Sequence, residues 1–124
     1  MGAMKFDKYV IAVDFDGTIV QHRYPEIGDT MDGALEGLRQ LAMDGHYIVI
    51  WTCRVGKELL DVKNWLDNNN VIYDALNCNA GCVNFSTGPK IYYDILIDDR
   101  AWDCVIDWTK IVKDVRRCYA AEKI

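Results

Sequence analysis

The sequence holds no segment able to cross a membrane, no excess of positive charge and no CxxC pair. Near the N-terminus the longest apolar run, Val10–Val13, is four residues and leads straight into acidic residues. A spanning helix needs about 20 apolar residues, so neither a membrane span nor a secretory leader is expected, and the cytoplasm is the expected compartment. The net charge is −5 and Arg116-Arg117 is the one adjacent Lys/Arg pair, which argues against general nucleic-acid binding. Cysteine is present but odd in number: Cys53, Cys78, Cys82, Cys104 and Cys118. Without an export signal these read as reduced thiols. Cys78 and Cys82 have a spacing that could clip a metal, but structural zinc wants four ligands and both histidines, His22 and His46, lie far back in sequence. Ordinary loop thiols are expected there. Met1-Gly2-Ala3 ahead of Met4 reads as a cloning remnant, and Phe6 stands where a myristoylation signal needs Ser or Thr.

What is present fits a single domain over residues 1–124. The chain is 51% hydrophobic and 27% charged, enough for a packed core. Tyr9–Val13 reads as a buried strand. Met31, Ala34, Leu35, Leu38, Leu41 and Ala42 recur at helical spacing, predicting a helix over about 31–44 that Gly45 ends. His46–Trp51 reads as a second strand and Gly56–Asn69 as a second helix. Val71–Tyr73 is a short third strand, Cys78–Pro89 a loop, and Tyr92–Ile97 a fourth strand. Cys104–Ile106 is a candidate fifth strand, and Trp108 through Tyr119 a final amphipathic helix. Strands alternating with helices predict an α/β fold: a three-layer α/β/α, Rossmann-like, doubly wound parallel sheet. Active sites in such sheets lie beyond the carboxyl ends of the strands, where Asp14, Thr52 and Asp98 fall.

The chain is organised around Val13-Asp14-Phe15-Asp16-Gly17-Thr18. Side chains two apart on an extended chain point the same way, so Asp14 and Asp16 can face one site. Two carboxylates that close raise each other's pKa unless a cation or hydrogen bonds compensate, and hard oxygen ligands suit Mg²⁺. Gly17 can take a positive φ and bring backbone N–H groups near an anion.

Asp14-Phe15-Asp16-Gly17-Thr18 resembles the first motif of the haloacid dehalogenase-like (HAD) hydrolases, and three further motifs follow in that family's order. Thr52 closes the apolar Ile48-Val49-Ile50-Trp51. Lys90 precedes the last motif, with Lys57 and Lys63 as its rivals. Ile95-Leu96-Ile97 ends in the pair Asp98-Asp99. The likeness covers roughly residues 8–110 and implies a Mg²⁺-dependent phosphomonoesterase. On that likeness Asp14 is the nucleophile that becomes an aspartyl-phosphate, and Asp16 is the general acid and base. Thr52 and Lys90 hold the phosphoryl oxygens. The metal is held by Asp14, the Asp16 carbonyl and one of Asp98 and Asp99, the family favouring Asp98 as the direct ligand, with Asp99 then holding Lys90 or a metal-bound water. Gly17 and Arg54 are candidate contacts for the substrate, Arg54 toward a second anionic group. Arg100 reads as a local ion-pair partner, and His22 as a substrate contact or a bystander.

The spacing leaves no room for a cap. About a dozen residues separate Thr18 from the first helix, and Thr52 to Lys90 is already used by a helix, a strand and a loop. A capless member is expected, acting on a phosphorylated substrate. An open site admits macromolecular ends; loops 19–29 and 77–89, or a neighbouring subunit of a homo-oligomer, would instead cover a small molecule. A phosphotransferase using the same aspartyl-phosphate and a catalytically idle binding scaffold are the alternatives. A receiver-like signalling module is disfavoured, because there the acidic pair follows the first strand rather than the last. Trp102 and Trp108 are candidate interface aromatics, with core packing an equal account of Trp108.

Overall fold

The computed structural model describes residues 7–102 and 105–123. Four parallel strands, β1 (Val10–Asp14), β2 (Tyr47–Trp51), β3 (Ala75–Leu76) and β4 (Ile95–Ile97), lie in the order β3-β2-β1-β4. Three helices accompany them: α1 (Ala34–Met43), α2 (Gly56–Asn68) and α3 (Trp108–Lys123). The chain is therefore a parallel α/β protein of Rossmann-like type, as its strand–helix alternation predicts.

The order of the strands explains how each face is covered. From β1 to β2 to β3 the chain steps in one direction, so right-handed crossovers put α1 and α2 on one face. There Ile11, Val13, Ile48 and Ile50 pack with Leu38 and Leu41 of α1, Val62 and Leu66 of α2, and Trp108, Val112 and Val115 of α3. From β3 to β4 the chain reverses past β1, so its crossover belongs to the opposite face. That crossover is irregular: Ala80 and Ile91, with the half-buried Cys82, Tyr92 and Tyr93, cover Val10, Ala12 and Val49. The Asn- and Gly-bearing sequence between Asn77 and Gly88 lacks a helical apolar period, so an irregular strap does what a helix does in a regular doubly wound sheet.

Other departures from the sequence reading have local causes. Helix α1 starts at Ala34 because Gly33 sits at φ 77 and Met31 donates its N–H to the Ile19 carbonyl. The third strand is Ala75–Leu76 rather than 71–73. Val71 N–H closes the end of α2 on the Leu66 carbonyl, and pairing with β2 begins where Asp74 exchanges bonds with Ile48. The fourth strand begins at Ile95, just after Asp94 makes the same arrangement with Val10: its carboxylate accepts Val10 N–H and its own N–H donates to the Val10 carbonyl. Both aspartates mark the amino ends of their strand pairs. Of the candidate fifth strand, Val105 is exposed and Ile106 carries no strand pairing, while Cys104 lies outside the described residues. Trp108 is core: its ring lies over Gly37 and its indole N–H donates to the Thr18 carbonyl at 2.9 Å. Trp102, in contrast, is 95% exposed.

Candidate active site

The reversal of strand order falls between β1 and β4, the place where parallel α/β sheets open a crevice at their carboxyl edge. The register Val13↔Ile97 brings Asp14 and Asp98 one step beyond paired positions, and Asp14↔Trp51 does the same for Thr52 on β2. Ligand oxygens of Asp14, Asp98 and Asp99 lie within 4.8 Å of one another. They floor a cavity of about 470 Å³ whose lining also includes Asp16, Thr52 and Arg54.

Thr18 ties the two acidic motifs together. Its buried hydroxyl donates to Asp14 Oδ2 at 3.1 Å and accepts Asp99 N–H at 3.0 Å, across 81 residues of sequence. Its neighbour Gly17 is required by both conformation and space. It sits at φ +90, and a Cβ there would land on the Asp99 carboxylate. Asp98 Oδ1 accepts Arg100 N–H at 2.9 Å, fixing the turn after β4.

Three carboxylates this close cannot all carry charge without cost. Asp14 is pushed up to about 7, first by burial, then by the charge of Asp98 and by contact with Asp99, against which the Thr18 hydrogen bond pulls down. Asp99 Oδ1 is buried with no hydrogen-bond partner among the described residues. An orphaned carboxylate oxygen beside two further carboxylates suits a hard divalent cation, which takes oxygen ligands and offsets their mutual repulsion. The donor set therefore fits the expected Mg²⁺.

Asp16 stands apart from this cluster. Both its oxygens are gripped by Arg54, with Nε donating to Oδ2 and Nη2 to Oδ1, each at 2.8 Å. Arg54 is 3% exposed and also donates to the carbonyls of Pro25 (Nη1, 2.8 Å) and Glu26 (Nη2, 2.8 Å). Four hydrogen bonds from five N–H groups leave this guanidinium largely committed within the protein. It lines the cavity, but as a clamp on Asp16 rather than as an open anion hook.

Thr52 is positioned by Asn77, whose side-chain oxygen accepts Thr52 N–H at 2.8 Å, while Thr52 Oγ1 accepts Arg54 N–H at 3.1 Å. Lys90 is not brought to the cavity. It is exposed and lies beside Ile91, Tyr92 and Tyr93, its Nζ 5.7 Å from the Tyr93 ring centre. The reason is topological: it stands late in the return crossover, four residues before Asp94, which marks the amino end of the sheet. Its rivals are spent on exposed pairs of α2, Lys57 with Asp61 and Lys63 with Asp67. Arg100 does line the cavity, and its side chain makes no ion pair among the described residues. Thr18, Tyr24 and Arg100 thus take places in or beside the site that sequence reasoning did not assign. For Thr18 the signal was its position inside the first motif, and for Arg100 its adjacency to Asp99.

A solved structure, that of a conserved protein from Bacteroides thetaiotaomicron, superposes with a TM-score of 0.83 at 33% identity, covering 90% of this chain and 92% of that chain. The chain belongs to the family of that conserved protein. No protein-family model and no curated protein matches it. The likeness extends over nearly all of both chains.

Proposed function

We propose that the protein is a capless HAD-like phosphatase, a Mg²⁺-dependent phosphomonoester hydrolase working through an aspartyl-phosphate on Asp14. The observation that carries this reading is the meeting of Asp14, Asp98 and Asp99 at the β1–β4 switch point, with Asp99 Oδ1 left unpartnered. On this reading the strap over the second face replaces the outer helical layer of the three-layer α/β/α plan, and no cap is inserted.

Asp14, Asp98, Asp99 and the Asp16 carbonyl would hold the cation, which when bound offsets repulsion between an anionic ester and an anionic nucleophile. Asp14 then attacks phosphorus, forming an Asp14 O–P bond as the bond to the leaving oxygen breaks. Thr52 keeps its hydroxyl hydrogen for a phosphoryl oxygen, because its oxygen already accepts from Arg54 N–H. Arg100 supplies the positive charge that the sequence reading assigned to Lys90. Asp16 gives a proton to the leaving oxygen and recovers one from the hydrolytic water, so it is a carboxyl at the start of each turnover and a carboxylate between the two steps. Each of its oxygens retains a lone pair beyond the one Arg54 occupies.

The test is phosphate release from p-nitrophenyl phosphate and a panel of phosphorylated metabolites, with Mg²⁺, with EDTA and with Asp14→Asn. Activity that needs Mg²⁺ and vanishes in the variant is expected. Activity within tenfold of wild type in Asp14→Asn overturns the assignment of the nucleophile. Release that depends on an added alcohol, with a phosphorylated alcohol as product, would make the enzyme a phosphotransferase. Silence across the panel with Mg²⁺ bound leaves a macromolecular substrate or a binding scaffold.

A further inference from the structure

The cavity is larger than a metal and a phosphoryl group require. At about 470 Å³ it falls within the range of small-molecule sites. The groups lining it beyond the carboxylates differ in kind from those at its floor: His22, Tyr24 and Arg100. Tyr24 is 60% exposed, yet it is mounted firmly. Its ring lies over the Arg54 guanidinium with 5.0 Å from Cζ to the ring centre, a cation–π contact. That guanidinium is in turn bonded to the carbonyls of Pro25 and Glu26, the two residues that follow Tyr24. One face of the ring is thus fixed to a buried cation that also holds Asp16, and the ring stands among the cavity walls.

We infer that Tyr24 is a stacking platform for the leaving group, and that the substrate is a phosphomonoester carrying a planar heteroaromatic ring, of the size of a nucleoside monophosphate. This rests on the phosphatase reading above. A flat ring suits the exposed face of an aromatic side chain held at fixed tilt, since offset or edge contacts between aromatic groups need defined geometry. Base–aromatic stacking does not depend on which base is present, so the platform selects a ring rather than a sequence. The Arg54 mount adds a second benefit: a ring pressed on Tyr24 rests, through Arg54, on the carboxyl that handles the leaving-group proton. Substrate bulk and Asp16 are held by one guanidinium.

The experiment compares adenosine 5′-monophosphate with ribose 5-phosphate, two esters distinguished by the base, using wild type, Tyr24→Ala and Tyr24→Phe with Mg²⁺. Wild type should prefer the nucleotide in kcat/KM. Tyr24→Ala should lose about ten- to a hundredfold on the nucleotide, the size of one lost stack, with ribose 5-phosphate unchanged within about twofold. Tyr24→Phe should keep the preference, because stacking needs the ring and not the hydroxyl. Equal losses on both esters would mean that Tyr24 only supports its loop, and would overturn the inference. So would equal turnover of both esters by wild type, an outcome that leaves the phosphatase reading standing. Turnover of neither, with no Mg²⁺-dependent binding of either ester to wild type by titration calorimetry, overturns both.

Discussion

Arg54 closes on Asp16 as a two-pronged fork, with two N–H···O bonds of 2.8 Å made where the guanidinium is almost wholly buried. A buried ion pair contributes little net stability against an apolar substitute, but removing one partner strands the other. Here the stranded groups would be the Asp16 carboxylate and the Pro25 and Glu26 carbonyls. Arg54→Ala should therefore lower stability by about 3–5 kcal/mol. Arg54→Lys should recover only part of that, since an ammonium lacks the planar fork. Urea denaturation of the three proteins measures it, and a loss under 1 kcal/mol for Arg54→Ala would show the clamp to be dispensable.

Asp14 sets a pH dependence whose sign follows from its raised pKa. Burial, then the nearby Asp98 charge, holds its folded-state value near 7, above the ordinary carboxylate range. Between those values the folded chain binds more protons than the unfolded one, so metal-free stability falls as pH rises from about 4 toward 7. A cation needs Asp14 ionised, so its stabilising effect should grow over the same interval and level off above it. Melting of wild type at pH 5 and pH 8, with and without Mg²⁺, should show a larger Mg²⁺ increment at pH 8. Asp14→Asn, free of the charge, should melt above metal-free wild type at pH 8. Equal Mg²⁺ increments at the two pH values would refute the coupling.

Thr18 is the joint between the acidic motifs, and its two bonds can be removed without changing its shape. Thr18→Val deletes the donor to Asp14 and leaves Asp99 N–H without its acceptor. The expected cost is about 1–3 kcal/mol, the penalty for an orphaned buried group. The hydroxyl also pulls the Asp14 pKa down, so its loss should move the onset of Mg²⁺ binding to higher pH. Thr18→Ser keeps both bonds and should keep the wild-type onset. Calorimetric titration with Mg²⁺ from pH 5 to 8 separates the variants, and coincident curves for Val and Ser would count against the joint.

How much of this the sequence discloses depends on whether the deciding interaction is local. The strand ends at Asp14, Thr52 and Asp98 are local: an apolar run stops at a polar residue, and parallel pairing carries those ends to one edge. The acidic cluster was legible for that reason. The ends of β3 and β4 were not, because Asp74 and Asp94 set them through bonds to Ile48 and Val10, 26 and 84 residues away. The fate of Arg54 was hidden likewise. Its partners are Asp16, 38 residues back, and two loop carbonyls, so its position near Thr52 suggested a substrate contact that its hydrogen bonds now occupy. The loop over Cys78–Pro89 is legible from its missing helical period, but its packing across Val10, Ala12 and Val49 is not, because a crossover announces a covered face without saying what covers it.

Arg100 and Lys90 give the sharpest separation between sequence position and structural position. Lys90 has the chain order expected of a phosphate-holding lysine but sits exposed beside Tyr93, away from the cavity. Arg100 lines the cavity, one residue past Asp99, on a turn fixed by its N–H bond to Asp98. An electrostatic contact to a transferring phosphoryl group acts only from within reach, and removing one such donor typically costs 10²–10³ in turnover. Arg100→Ala should therefore lower kcat/KM about a hundredfold, with Arg100→Lys recovering part of it as a point charge. Lys90→Ala should stay within about twofold of wild type and melt at the wild-type temperature, because its side chain is exposed. Steady-state kinetics on the best phosphomonoester decides between them. A large loss in Lys90→Ala with Arg100→Ala unaffected would mean that the crossover segment closes over the cavity when substrate binds, and would return the role to the lysine.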